Sequence, residues 1–149
     1  MFNCYLPKVV FQEVPDEISL AFTITGCSLG CKGCHSPDIW DPSKGFPLSA
    51  KTYVNYLEKY QQLVTCILFF GGEWQSKQLV ECLIAAKSYG FKTCLYTGEL
   101  AVNQQISQYL DYIKLGPWNA SLGGLASKKT NQRFYDLNNG ECLNHRFQI

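Results

Sequence analysis

Ile18-Ser19-Leu20-Ala21-Phe22-Thr23-Ile24-Thr25-Gly26-Cys27 is the stretch that decides the fold. Ile18, Leu20, Phe22 and Ile24 alternate with Ser19, Ala21, Thr23 and Thr25. A period of two reads as a strand, because successive side chains of an extended chain point to opposite faces. The pattern ends at Gly26, so Cys27 opens a loop that leaves the C-terminal end of a strand. Further along, Cys66 to Phe70 is a short continuous apolar run that stops at Gly71-Gly72-Glu73. Such a run fits a strand buried on both faces. Phe91 to Tyr96 reads as a third strand, ending at Thr97-Gly98, and Tyr112 to Leu115 as a fourth, ending at Gly116-Pro117.

Helical spacing fills the intervals. Ser49 is placed to cap a helix with Tyr53, Val54, Leu57 and Tyr60 on one face. Ser76 is the expected cap of a second helix, with Leu79, Val80, Leu83 and Ala86 inward and Gly90 as its stop. Val102, Ile106 and Tyr109 mark a third. Between the first strand and the first helix, Pro37, Asp41-Pro42 and Pro47 predict irregular backbone. Alternating strands and helices predict an α/β fold with a parallel sheet and helical crossovers. Four strands are too few for a closed eight-stranded barrel, which takes ~250 residues. The expectation is an open or partial (β/α) barrel, with edge strands at Val9–Glu13 and Arg133–Leu137. At 149 residues the chain is expected to be one domain, 1–149.

Composition narrows the partners. Net charge is +1 with no run of Lys or Arg, which argues against a nucleic-acid surface. No apolar stretch approaches the roughly 20 residues needed to span a bilayer. Eight cysteines would suggest disulfides in a short secreted chain. With no apolar signal segment, reduced thiols and a cytoplasmic protein are the expectation. Cys66, Cys82 and Cys94 fall on apolar patterns and read as small buried hydrophobes. Cys4 and Cys142 have no interpretable spacing, and Cys142 is read as a surface thiol in preference to a ligand.

The remaining three cysteines form Cys27-Ser28-Leu29-Gly30-Cys31-Lys32-Gly33-Cys34. Electron-carrying iron–sulfur clusters usually take four protein ligands, so three thiolates leave one iron of a cubane open for a ligand. Three other chemistries use parts of this sequence. Cys31-Lys32-Gly33-Cys34-His35 also spells the c-type haem motif, but haem c needs export and usually a distal ligand, and Met1 is the only methionine. Zinc on Cys27, Cys31, Cys34 and His35 would ask adjacent residues to reach one tetrahedral ion. A Cys31–Cys34 dithiol would leave Cys27 unexplained. In parallel α/β sheets ligands bind at the C-terminal strand ends. There this order gathers the cysteine loop, Gly71-Gly72-Glu73, Tyr96-Thr97-Gly98-Glu99 and Lys114-Leu115-Gly116-Pro117.

Cys27, Cys31 and Cys34 together with Gly71-Gly72-Glu73 resemble the radical S-adenosylmethionine superfamily. The superfamily's residue before the third cysteine is commonly aromatic, and here it is Gly33. Asp111-Tyr112-Ile113-Lys114-Leu115-Gly116-Pro117, Leu122-Gly123-Gly124-Leu125 and Thr130-Asn131-Gln132-Arg133 narrow the similarity. They resemble the activating proteins of anaerobic ribonucleoside-triphosphate reductase, where Gly33 is at home, over roughly residues 15 to 137. The resemblance implies one [4Fe–4S] cluster on Cys27, Cys31 and Cys34, and S-adenosylmethionine on its open iron. It implies that Gly71, Gly72 and Glu73 meet the methionine amino group, Lys114 the carboxylate, Thr97 and Tyr96 the ribose, and Gly33, Cys34 and His35 the adenine side. It also implies a glycyl radical raised on the reductase, with an electron from a donor such as a flavodoxin or ferredoxin. The similarity extends to other small enzymes of the superfamily, with a different glycyl-radical partner or a small-molecule substrate. From the residues alone, a noncatalytic iron–sulfur or zinc module also stands. Glu73 also suits a solvated loop carboxylate, and Lys114 a lysine facing solvent. Trp118, Leu122 and Leu125, in the unpatterned stretch from Gly116 to Arg133, suit either an interface with the reductase or the domain's own core.

Overall fold

The computed structural model describes residues 2–26, 41 and 43–148. Chain order runs β1 (Asn3–Cys4), β2 (Lys8–Val10), β3 (Ser19–Thr23), β4 (Phe46–Pro47), α1 (Ala50–Tyr60), β5 (Cys66–Phe70), α2 (Ser76–Ser88) and β6 (Lys92–Tyr96). It continues through α3 (Gln104–Ser107), β7 (Tyr112–Leu115), β8 (Arg133–Asp136) and β9 (Glu141–Cys142). The main sheet has the order β2-β3-β5-β6-β7-β8-β9, and β1 pairs separately with β4. Strands β3, β5, β6 and β7 are mutually parallel and joined by α1, α2 and α3. Strand β2 and strands β8 and β9 flank them in antiparallel pairing. The fold is therefore α/β with helical crossovers, as the alternation predicted, but the sheet is mixed rather than wholly parallel. Among the described residues it stays open, ending at β2 and β9.

Register aligns the strand ends. Thr23 lies opposite Phe70, Phe70 opposite Tyr96, and Tyr96 opposite Lys114. One row across four strands thus forms the rim from which the candidate loops emerge.

The two faces of the sheet are covered differently. On one face Leu20, Phe22, Ile67, Phe69, Leu95 and Ile113 pack beneath the three helices. Tyr53 and Leu57 of α1 are buried there, with Tyr53 edge-on to Phe22 and its hydroxyl donating to the Cys82 carbonyl at 2.7 Å. The other face carries Ala21, Cys66, Leu68, Cys94 and Phe134, covered by Val14, Leu125, Leu143 and Phe147 from loops and the C-terminal segment. Even-numbered and odd-numbered residues of β5 and β6 therefore serve different cores, and both are apolar. That is why β5 reads as a continuous apolar run.

Local chemistry explains the helix ends. Ser49 caps α1 as its spacing implied, extended at φ −71° and accepting from the Thr52 N–H. Ser76 does not cap α2. Gly72, at φ 107°, turns the chain into a 3₁₀ turn at Glu73–Gln75, so Ser76 arrives already helical at φ −58° and ψ −38°. Helix α3 is one turn, shorter than the Val102–Tyr109 pattern. The N–H groups of Tyr109 and Leu110 bond three residues back, to Ile106 and Ser107, which tightens the chain and ends the helix. Its cap is Asn103, which accepts from the Ile106 N–H. Far from the rim, Asp111 ties α2 to β6 and β7. Its carboxylate accepts from Lys87 Nζ at 2.7 Å, the Thr93 N–H at 2.9 Å and Asn138 Nδ2 at 3.1 Å. No helix among the described residues is long and apolar enough to cross a membrane.

Candidate functional site at the strand-end rim

The chain reaches the cysteine motif from the rim. After β3, the Ile24 N–H bonds the Phe70 carbonyl and the Thr25 N–H bonds the Asn3 carbonyl, each at 3.0 Å. Gly26 follows in the left-handed region, at φ 101°. Cys27, Cys31, Cys34, Gly33 and His35 lie outside the described residues.

The other cysteines are placed, and burial makes most of them poor ligands. Cys4, Cys66, Cys82 and Cys94 are buried and free, while Cys142 is exposed. Burial pushes the thiols of Cys4 up to about 11 and of Cys66 and Cys82 up to about 12, and raises Cys94 well above the ordinary value. A metal needs the thiolate, which these environments disfavour. Among the described residues no group of three or more His, Cys, Asp or Glu is placed to hold a metal ion.

Across the rim, Gly71 and Gly72 form the turn after β5 at φ 82° and 107°. A Cβ on Gly71 would lie 2.5 Å from Trp74 Cη2, and one on Gly72 would lie 3.3 Å from Ile24 and 3.4 Å from Phe2. Both glycines are thus required by the protein's own packing and backbone, apart from any approach to a ligand. The Gly71 N–H donates to the Tyr96 carbonyl at 3.0 Å, stitching this turn to the end of β6.

Glu73 stands next in the chain, half-buried rather than solvated. Its Oε1 accepts from the Thr97 hydroxyl at 2.7 Å. Its Oε2 is buried with no hydrogen-bond partner among the described residues. Burial pushes the Glu73 carboxyl above the ordinary carboxylate range; the Thr97 hydrogen bond and a backbone hydrogen bond oppose this, the Glu99 charge adds to it, and the Lys114 charge opposes it. A cavity of about 240 Å³ adjoins the carboxylate, lined by Trp74, Glu99, Val102, Asn103 and Ile106. Trp74 Nε1 is also buried without a hydrogen-bond partner among the described residues. Such atoms are costly to bury unless something meets them.

Lys114 does not face solvent: it is 9% exposed. Its ammonium donates to the Gly116 carbonyl at 3.1 Å and lies 5.6 Å from the Tyr96 ring centre. Tyr96 and Thr97 project to opposite sides, as neighbours on a strand do. The Tyr96 hydroxyl donates to the Glu13 carbonyl on the helix-free face, which removes it from the rim where a ribose contact was expected. Of the sequence-predicted residues, the structure brings Glu73 and Thr97 together and places Lys114 one strand away. Trp74 was missed. Its only sequence signal is an aromatic directly after Gly71-Gly72-Glu73.

The stretch from 116 to 132 is built of turns. Asn119 organises one of them, and Asn131 Nδ2 donates to the Pro117 carbonyl. Leu125 packs into the core of the helix-free face, the second of the two readings the sequence left open for it. Trp118 and Leu122 are half-buried. A larger groove of about 700 Å³ runs between α1 and α2, but it holds no residue of the rim.

Three closely spaced cysteines following the first parallel strand in sequence, in a chain whose other described cysteines are mostly buried and unsuited to ligation, fit an iron–sulfur protein. The chain belongs to the family of the 4Fe-4S single cluster domain, whose model matches residues 18–132. The match begins at the first parallel strand and ends one residue before β8. No curated protein matches the chain.

Proposed function

We propose that the protein is a cytoplasmic radical S-adenosylmethionine enzyme that generates a glycyl radical on anaerobic ribonucleoside-triphosphate reductase. The observation that carries the proposal is the Glu73 carboxylate at the end of β5, with one oxygen buried and unpartnered among the described residues, in a chain of a 4Fe-4S family. The family is found in radical S-adenosylmethionine proteins. A buried carboxylate oxygen with no partner suits an ammonium group, which brings three donors and the opposite charge.

Cys27, Cys31 and Cys34 would hold the cluster, and Glu73 and Lys114 would receive the amino and carboxylate ends of S-adenosylmethionine. Bound there and reduced by a flavodoxin or ferredoxin, the cluster would supply one electron for breaking the sulfonium carbon–sulfur bond of S-adenosylmethionine, whose products would be methionine and the adenosyl radical that abstracts hydrogen from the reductase's glycine. The chain's own part is to bind, orient and keep the site dry. Gly71 and Gly72 hold the turn that aims Glu73, and Trp74 packs over Gly71. Lys114, buried and bonded to the Gly116 carbonyl, holds its positive charge in a fixed position.

The test is anaerobic reconstitution with iron and sulfide, then addition of S-adenosylmethionine and dithionite. Formation of 5′-deoxyadenosine is expected, and a glycyl-radical electron paramagnetic resonance signal when the reductase is added. Binding without cleavage would leave a noncatalytic iron–sulfur protein. Cleavage without a radical on the reductase would point to another substrate.

A further inference from the structure

We propose that Thr97 is a positioning residue that acts through Glu73: its hydroxyl holds one carboxylate oxygen so that the other is presented to the cationic group of the ligand. This rests on the reading that Glu73 receives the ammonium of S-adenosylmethionine. It departs from the expectation that Thr97 itself contacts the ribose.

The direction of each hydrogen bond follows from valence. A hydroxyl has one proton to donate and two lone pairs to accept with. The Glu99 N–H donates to Thr97 Oγ1 at 3.0 Å, so that oxygen is an acceptor there. The carboxylate has no proton when ionised, so the 2.7 Å contact must carry the Thr97 proton to Glu73 Oε1. Glu99 N–H to Thr97 hydroxyl to Glu73 is therefore a relay with one sense. Its single proton is committed, and at 2% exposure Thr97 has little surface left to meet a ribose.

The relay is anchored in rigid structure. The Thr97 N–H donates to the Lys114 carbonyl at 2.9 Å, and the Gly116 N–H donates to the Glu99 carbonyl at 2.9 Å. The donors thus hang from the paired ends of β6 and β7, whereas Glu73 sits in a single 3₁₀ turn. A glutamate side chain there has three torsions to fix, and the charge-assisted bond from Thr97 fixes its head. With Oε1 held, Oε2 is left as the acceptor with no partner among the described residues.

The experiment measures S-adenosylmethionine binding by anaerobic calorimetry on the reconstituted full chain, in a cycle of Thr97→Val and Glu73→Ala, with Thr97→Ser beside it. Thr97→Val is expected to weaken binding roughly tenfold, the scale of a lost hydrogen bond to a charged group. Thr97→Ser, which keeps the hydroxyl, should stay within about twofold of wild type. In the Glu73→Ala background, adding Thr97→Val should change binding by less than about twofold. Thr97→Ala replaces Thr97→Val if the latter does not take up iron normally. A second readout needs no ligand: the ¹³C carboxyl titration of Glu73 should move to higher pH in Thr97→Val and not in Thr97→Ser. Equal losses in both Glu73 backgrounds would mean direct contact with the ligand and would overturn this inference alone. So would an unmoved Glu73 titration. Absence of S-adenosylmethionine binding by the wild type would overturn both this inference and the function on which it rests.

Discussion

Replacing Gly71 by Ala tests whether the rim turn is set by packing inside the protein. Two costs add. At φ 82° an L residue is strained, by about 1–2 kcal/mol. The new Cβ would also lie 2.5 Å from Trp74 Cη2 and 3.1 Å from Cζ3, so the indole or the turn must shift. Overpacking of that kind costs about 1–3 kcal/mol. Gly90→Ala separates the terms, because Gly90 has φ 87° and nothing within 4 Å of its Cβ position. For a chain of this size 1 kcal/mol lowers Tm by about 2–4 °C. Gly90→Ala should therefore lower Tm by about 2–8 °C, and Gly71→Ala by about 4–20 °C. In a Trp74→Leu background the clash is removed, so the Gly71→Ala increment should fall to that of Gly90→Ala. Anaerobic melts followed by far-ultraviolet circular dichroism supply the numbers, with iron content as a control. If Gly71→Ala costs no more than Gly90→Ala, or if its cost is the same with and without the indole, the packing argument is refuted.

Four further outcomes are expected. Cys27→Ala, Cys31→Ala or Cys34→Ala should each sharply reduce bound iron after reconstitution, whereas Cys66→Ala and Cys94→Ala should leave it near normal; an indispensable Cys142 would contradict the ligand set. S-adenosylmethionine affinity should fall on acidification at a pH above the ordinary glutamate range, because burial raises the Glu73 carboxyl and its protonation removes the charge that meets an ammonium; calorimetry across pH, with Glu73→Gln as the flat control, checks this. Burial raises the Asp111 carboxyl, but hydrogen bonds from Lys87, Asn138 and the Thr93 N–H and the Lys87 charge outweigh it, so the net shift is downward. The stability it contributes is present above its unfolded value of about 3.9 and is lost as pH falls through the folded value; Asp111→Ala should cost about 3 kcal/mol at neutral pH and flatten the acid limb of the melting curve. Replacing Trp118 and Leu122 together by Ser should spare 5′-deoxyadenosine formation while lowering the glycyl-radical signal on the reductase; equal loss of both would assign the pair to folding.

Much of the architecture was legible because it is written in short-range patterns. The period-two run before Cys27, the apolar run at Cys66–Phe70 and the Ser49 cap each depend on neighbours within a few residues. The cysteine spacing pointed to the iron–sulfur class in the same way, a class the family match over residues 18–132 supports. Antiparallel edge strands were readable in outline but not in direction, because pairing sense depends on where the chain returns.

The sequence by itself thus determined the alternating α/β order and the strand-end position of the described candidate loops, both local properties of spacing and residue type. Only the tertiary structure decided which side chains meet. Glu73 and Thr97 are 24 residues apart, and their contact exists because parallel register brings the ends of β5 and β6 level. Trp74 over Gly71, Lys114 buried beside Gly116, and Leu125 drawn into the helix-free core likewise depend on the three-dimensional path. Burial then set the charge behaviour of Glu73 and the four inert cysteines, because the cost of ionising a group depends on what surrounds it in space and not on its neighbours in the chain.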